Sequence, residues 1–263
     1  MPWPFKKTKP VSSFREIVPK GLIDLHSHIL PGVDDGPASS HETIAILDGM
    51  AALGYVSVAC TPHFNNDALT PDTPTQEGLI LEIASRRSNK PPDLLTGAEV
   101  LFDDRFILAE EQGRIPRIGS GRTYLIEFGF NPGSVPPGIE EMFFRFQVRE
   151  GTFILAHPER NPDFVRDPSR LEQVAHAGAL LQIDLLSLSG KYGRKTRRTA
   201  WEFLEEGLAD IVASDLHSQA ELNGLERALK DLAEWDKEEF VRLASSNPLK
   251  ILQDRPNEVL RHA

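Results

Sequence analysis

Short apolar runs alternate along this chain with longer stretches in which apolar residues recur every three or four positions. That rhythm belongs to repeated β-α units on a mainly parallel sheet. Residues 21–25, 56–61, 93–98, 123–127, 152–156, 179–185 and 210–214 are the seven candidate strands. The first intervening segment reads as a helix. Ser39 or Ser40 caps it, Glu42 lies in its first turn, Ile44, Leu47 and Ala51 keep the helical period, and Gly54 ends it.

Polar residues gather where the strands end. His26 and His28 follow the first strand, His63 the second, Glu99 the third, Glu127 closes the fourth, His157 follows the fifth, and Asp215 and His217 follow the seventh. Parallel β/α folds build their sites at that end. Side chains two apart on a strand share a face, so His26 pairs with His28 and Asp215 with His217. The Gly- and Pro-containing loop after His28 can fold Asp35 back over the imidazoles. One histidine or glutamate at a strand end is commonly a hydrogen-bonded structural group. Nine at one end are not, because unpaired buried charge is too costly. Five imidazoles and four carboxylates without a thiolate suit Mn, Fe or Zn, and exceed what one ion needs, so two or three divalent ions are expected. His41, His176 and His262 match no strand end and read as surface residues.

Composition narrows the class. With 263 residues, 40% hydrophobic and 26% charged, the chain can bury a globular core, and its length suits one barrel-type domain at 21–263. Residues 1–20 read as a flexible N-terminal extension without the apolar middle of a secretory signal. A net charge of -10 disfavours nucleic acid as a partner. No apolar run is long enough to cross a bilayer, so an integral membrane protein is not expected. The single cysteine, Cys60, excludes an internal disulfide framework and fits a cytoplasmic location. It also lacks the Arg six positions on that cysteine-dependent phosphatases use, since Asn66 stands there.

The segment from Asp24 to Pro37 resembles the opening signature of the polymerase and histidinol phosphatase superfamily, in its branch of bacterial protein-tyrosine phosphatases from capsule and exopolysaccharide gene clusters. Thr61-Pro62-His63, Gly97-Ala98-Glu99, Leu125-Ile126-Glu127-Phe128, Ala156-His157-Pro158-Glu159-Arg160 and Ala213-Ser214-Asp215-Leu216-His217 resemble the later motifs. The resemblance implies an α/β fold of distorted seven-stranded (β/α) barrel type. It also implies a trinuclear site ligated by His26, His28, Asp35, His63, Glu99, Glu127, His157, Asp215 and His217, with manganese the expected metal. The departures are the N-terminal extension and the segment after His63. The implied partner is the tyrosine-rich tail of a membrane-bound bacterial tyrosine kinase.

The expected reaction is attack on phosphorus by a metal-activated water, without a covalent enzyme intermediate. Asp35, His63, Arg160 and His217 are the candidate catalytic residues. Arg160, three residues past His157, either grips a phosphate oxygen or pairs with a loop carboxylate. Lys191 and Arg194, in the basic stretch after the sixth strand, either bind substrate or belong to a solvated face. Two other readings stay open: a small-molecule phosphatase, such as one for histidinol phosphate, and a metal-stabilised binding module without catalysis.

Overall fold

The structure, a computed structural model, describes residues 21–64, 71–87, 91–103, 106, 109, 112–149 and 151–254. The N-terminal extension, residues 65–67 and His262 lie outside the described residues.

The described residues open with β1 (Leu22–Asp24), α1 (Ser40–Leu53) and β2 (Tyr55–Cys60). Ser39 caps α1 by accepting from the Glu42 N–H, and Gly54 ends it at φ 102, a conformation that costs glycine little. There follow β3 (His63–Phe64), α2 (Thr73–Arg86), β4 (Asp93–Thr96), β5 (Glu99–Leu101), β6 (Thr123–Glu127), α3 (Ile139–Arg149) and β7 (Thr152–Ala156). The last third holds α4 (Pro162–Arg166), α5 (Pro168–His176), β8 (Leu180–Asp184), α6 (Leu185–Ser189), α7 (Gly193–Glu205), β9 (Ile211–Ala213), α8 (Leu222–Trp235), α9 (Lys237–Val241) and α10 (Asn247–Leu252).

All pairings between these strands are parallel. They form two sheets, β1-β2-β4 and β3-β5-β6-β7-β8-β9. The seven expected strands are all found, yet the second and third are each followed, after a break, by an unexpected short strand in the other sheet, β3 and β5, and a closed seven-stranded barrel is not seen among the described residues. Both breaks have a physical origin. Pro62 has no N–H to give a ladder. At Gly97 the backbone bonds a side chain instead of a strand: Gln76 of α2 accepts from its N–H at 3.1 Å and donates to its carbonyl at 2.8 Å. A Cβ at Gly97 would stand 3.0 Å from Thr61 Cγ2.

One seam between the two sheets lies just beyond the ends of β1 and β9. Ser27 and Leu216 form an isolated parallel bridge. The Asp215 N–H donates to His26 O and the His28 N–H to Leu216 O. Buried Asp24 reinforces the seam, its Oδ1 accepting from the His26 and Ser214 N–H groups. The chain segments that carry His26, His28, Asp215 and His217 are thereby fixed side by side.

Two apolar clusters support this frame. The larger packs helices against the sheets. The smaller takes Ile23, Ala59, Leu125, Ile154, Leu180 and Ile211 from successive strands. Leu125 belongs to it while Glu127, two residues on and on the same face of β6, reaches the polar site. No helix among the described residues is long and apolar enough to cross a membrane.

Candidate metal centre

All nine side chains expected to ligate metal come together. Each falls in at least one group of three or four whose ligand atoms lie within 4.8 Å of one another: His28, Asp35, His63 and His217; His26, His157 and Asp215; His26, His28 and Glu99; His63, Glu99 and Glu127.

Glu99 stands at the centre. Its Oε1 is 2.7 Å from His157 Nε2 and 3.3 Å from His26 Nε2, while its Oε2 is 3.0 Å from His63 Nδ1 and 3.3 Å from His28 Nε2. Asp215 Oδ1 lies 3.2 Å from His26 Nε2 and 3.3 Å from His28 Nε2, and those two nitrogens are 3.1 Å apart. Ligand atoms about 2.0–2.2 Å from one cation stand roughly 3.0–3.5 Å from each other. The observed spacings match, so the donor set fits a divalent metal both in chemistry and in geometry.

The outer bonds of the rings point the same way. His26 Nδ1 meets Gln182 Oε1 at 2.9 Å, His28 Nδ1 meets Asp34 Oδ2 at 2.8 Å, and His217 Nδ1 meets the Asp215 carbonyl at 2.9 Å. Each acceptor fixes the proton on Nδ1 and leaves the Nε2 lone pair facing inward, the arrangement metal-ligating histidines use. Asp34 and Gln182 were not singled out in the sequence. Gln182 left a signal, being polar in the buried run of β8. Asp34 left a weaker one beside its neighbour Asp35.

Asp35 does fold back over the imidazoles, its Oδ1 3.3 Å from His217 Nε2 and 3.6 Å from His63 Nε2, although its side chain is 66% exposed. His157 and Asp215 both hold left-handed backbone, at φ 33 and φ 48. Non-glycine residues adopt it at a cost, and such strain tends to collect at functional sites.

The charges explain one another. Burial opposes a charge on His26, but the carboxylates of Glu99 and Asp215 outweigh it and raise its pKa to about 9. Burial would lift Glu99, yet the surrounding imidazoles, His26 foremost, hold it well below the usual carboxylate range. Glu127 is pushed up to about 8 by burial and then by the charge of Glu99. Protons thus take up, in the bare site, the compensation that a cation would supply.

The cluster opens on a cavity of about 370 Å³ whose lining includes Asp35, Glu127, Phe130, Arg160, Lys191 and Tyr192. Arg160 pairs with Asp215, Nη1 to Oδ2, at 2.6 Å and lies 3.7 Å from Asp184 Oδ2. Its guanidinium carbon is 4.8 Å from the Phe130 ring centre and 4.1 Å from that of Tyr192. The carboxylate pairing expected of Arg160 is therefore present, and the side chain also reaches the cavity. Lys191 lines the cavity and pairs with Glu221. Arg194 is exposed and does not line it. Arg197 and Arg198 of the same basic stretch pair with Asp231 and Glu202, as residues of a solvated face do. Cys60 is fully buried in β2 and His41 is exposed, while His176 bonds the Glu172 carbonyl within α5.

Comparison with known proteins agrees with this geometry. The sequence profile of the family described as capsular polysaccharide synthesis, CpsB/CapC, matches residues 22–253. The CapC protein of Staphylococcus aureus is 31% identical over 199 residues, 75% of this chain and 77% of its own length. Tyrosine-protein phosphatase YwqE of Bacillus subtilis is 29% identical over 75% of this chain and 78% of its own. Tyrosine-protein phosphatase CpsB of Streptococcus pneumoniae is 26% identical over 89% of this chain and 99% of its own. A crystal structure from work on YwqE and CpsB, described there as metal-dependent tyrosine phosphatases, superposes with a TM-score of 0.80 at 26% identity. That match covers 89% of this chain and 95% of the other.

Proposed function

The chain belongs to the CpsB/CapC family of capsular polysaccharide synthesis, and from that premise we propose that it is a metal-dependent protein-tyrosine phosphatase, a phosphoric monoester hydrolase acting on phosphotyrosine. The observation that carries this reading is the convergence of five imidazoles and four carboxylates around Glu99 on one open cavity. His26, His28, Asp35, His63, Glu99, Glu127, His157, Asp215 and His217 hold two or three divalent ions, manganese first among them, in a single catalytic domain at 21–263. When bound, such ions supply Lewis-acid stabilisation of the phosphoryl oxygens and activate water for attack.

The chain's own residues do the rest. Gln182 and Asp34 hold two imidazoles in the tautomer that faces inward. Asp35, His63 and His217 form the side of the cluster nearest solvent, where the reacting phosphate approaches. Arg160, anchored by Asp215 and Asp184 with 18% of its side chain exposed, offers its remaining N–H groups to a phosphate oxygen. Lys191 adds positive charge at the cavity and Arg194 adds it farther out. The buried Cys60 takes no part, and with a metal-activated water as nucleophile the reaction needs no covalent intermediate.

A phosphotyrosine tail of a membrane-bound tyrosine kinase in capsule or exopolysaccharide synthesis is the fitting partner, met on the cytoplasmic side. Rates of phosphate release from a phosphotyrosine peptide, a phosphoserine peptide and histidinol phosphate test the reading. The phosphotyrosine peptide is expected to turn over fastest. Preference for histidinol phosphate would keep the metal centre and replace the substrate.

A further inference from the structure

The cavity is lined almost wholly by charged and polar groups, and Phe130 is the exception. Its ring is 48% exposed, one of few large apolar side chains left so open among the described residues. It packs 5.6 Å from the His157 ring, centre to centre, and 4.8 Å from the Arg160 guanidinium carbon. An apolar ring thus stands at the edge of the ligand cluster, next to the arginine that reaches for phosphate.

Its loop, between β6 and α3, is tied down. Asn161 Nδ2 donates to the Gly129 carbonyl at 2.9 Å and to Ser134 Oγ at 3.0 Å. Asp163, buried at the start of α4, accepts from the Gly133 and Val135 N–H groups. These bonds bracket Phe130 on both sides, so its position is set before any ligand arrives. Tyr192, the other aromatic group of the cavity, is already engaged. Arg160 and Lys191 lie 4.1 and 4.9 Å from its ring centre, and its hydroxyl reaches Asp215 at 3.4 Å.

We propose that Phe130 is the aryl-recognition platform of this site, selecting phosphate esters whose ester oxygen is attached directly to an aromatic ring. The proposal rests on the phosphatase reading above. In an aryl ester the ring begins one bond beyond the ester oxygen. With phosphorus at the ligand cluster, that ring falls beside the exposed part of Phe130. A serine ester places only a methylene there, with far less surface to cover. Aromatic pairs gain free energy beyond the area they bury, and Phe130 would also leave water.

The test compares binding of benzylphosphonate and ethylphosphonate, in which a methylene replaces the ester oxygen and which cannot be hydrolysed as esters, to manganese-loaded wild type, Phe130→Leu and Phe130→Ala. Calorimetry gives the affinities, and circular dichroism and metal analysis check that each variant is intact. Wild type is expected to prefer the benzyl compound. Phe130→Ala should lower that preference about tenfold, with ethylphosphonate affinity nearly unchanged, and Phe130→Leu should fall between. No phenyl preference in wild type, an unchanged preference in Phe130→Ala, or equal loss of both ligands would each overturn the proposal. Equal loss would mean that Phe130 serves only to seat Arg160. Turnover of phosphotyrosine and phosphoserine peptides is measured in parallel. Loss of phenyl selectivity in an enzyme that ignores phosphotyrosine would keep the platform and remove the proposed function. Phosphotyrosine turnover with unchanged phenyl selectivity in Phe130→Ala would do the reverse.

Discussion

Asp34 Oδ2 meets His28 Nδ1 at 2.8 Å, and that bond turns the other nitrogen of the ring toward Glu99 and Asp215. The same carboxylate accepts from the His63 and Gly36 N–H groups, so one side chain orients two of the imidazole-bearing segments. Asp34→Ala should therefore weaken metal affinity about 10- to 100-fold, the usual effect of losing such an outer partner. Titration of metal into the chelated protein, followed calorimetrically, measures it, with circular dichroism showing that the fold persists.

The bare centre should be sensitive to alkali. A histidine in an unfolded chain titrates near 6.5, whereas His26 in the fold is raised to about 9 by Glu99 and Asp215 against the opposing effect of burial. Its bound proton stabilises the metal-free fold fully below the lower value, and that contribution is lost as pH rises through the upper one. Glu127, pushed from 4.5 up to about 8, acts in the same direction, since across that range the fold keeps a proton that the unfolded chain has already lost. Melting of the chelated protein should fall from about pH 5, most steeply between about pH 6.5 and 9, and melting of the manganese-loaded protein much less. Thermal scans across that range check it.

Arg160→Ala should lower kcat/KM for a phosphotyrosine peptide about 10²- to 10³-fold, the order found when a donor to developing charge is removed. Lysine should not restore the rate, because it lacks the planar fork that binds two oxygens at once. Metal content should remain, which separates loss of phosphate binding from loss of the centre.

Cys60→Ala should leave turnover within about twofold and cost about 1 kcal/mol of stability for the small cavity it makes. Cys60 is fully inaccessible, and burial pushes its thiol far above the ordinary range. Iodoacetamide should accordingly leave the native enzyme active, while a chelator should inactivate it.

The site was more legible in the sequence than the fold around it. Strands 123–127 and 152–156 have the expected limits, and the cap at Ser39 and stop at Gly54 follow from local chemistry alone. The nine clustered side chains stood out because histidines and acids follow directly where short apolar runs end. The break at Gly97 was less visible than the one at Pro62, since it depends on Gln76, a residue of α2 that reaches across to replace a strand partner. Asp34 and Gln182 escaped notice for the same reason: their roles are set by what they touch through space. The sequence left Arg160 between a phosphate contact and a carboxylate pairing, and its bond to Asp215 was not legible, because the left-handed turns at His157 and Asp215 cannot be read from residue type.

The most direct measurement is phosphate release from a phosphotyrosine peptide by chelated protein as manganese is titrated back, in wild type and in His26→Ala. Activity in wild type should be absent with chelator, return with manganese and saturate, while His26→Ala stays inactive across the titration. Undiminished hydrolysis in chelator, or full activity in His26→Ala, would contradict a metal-dependent phosphatase built on this cluster.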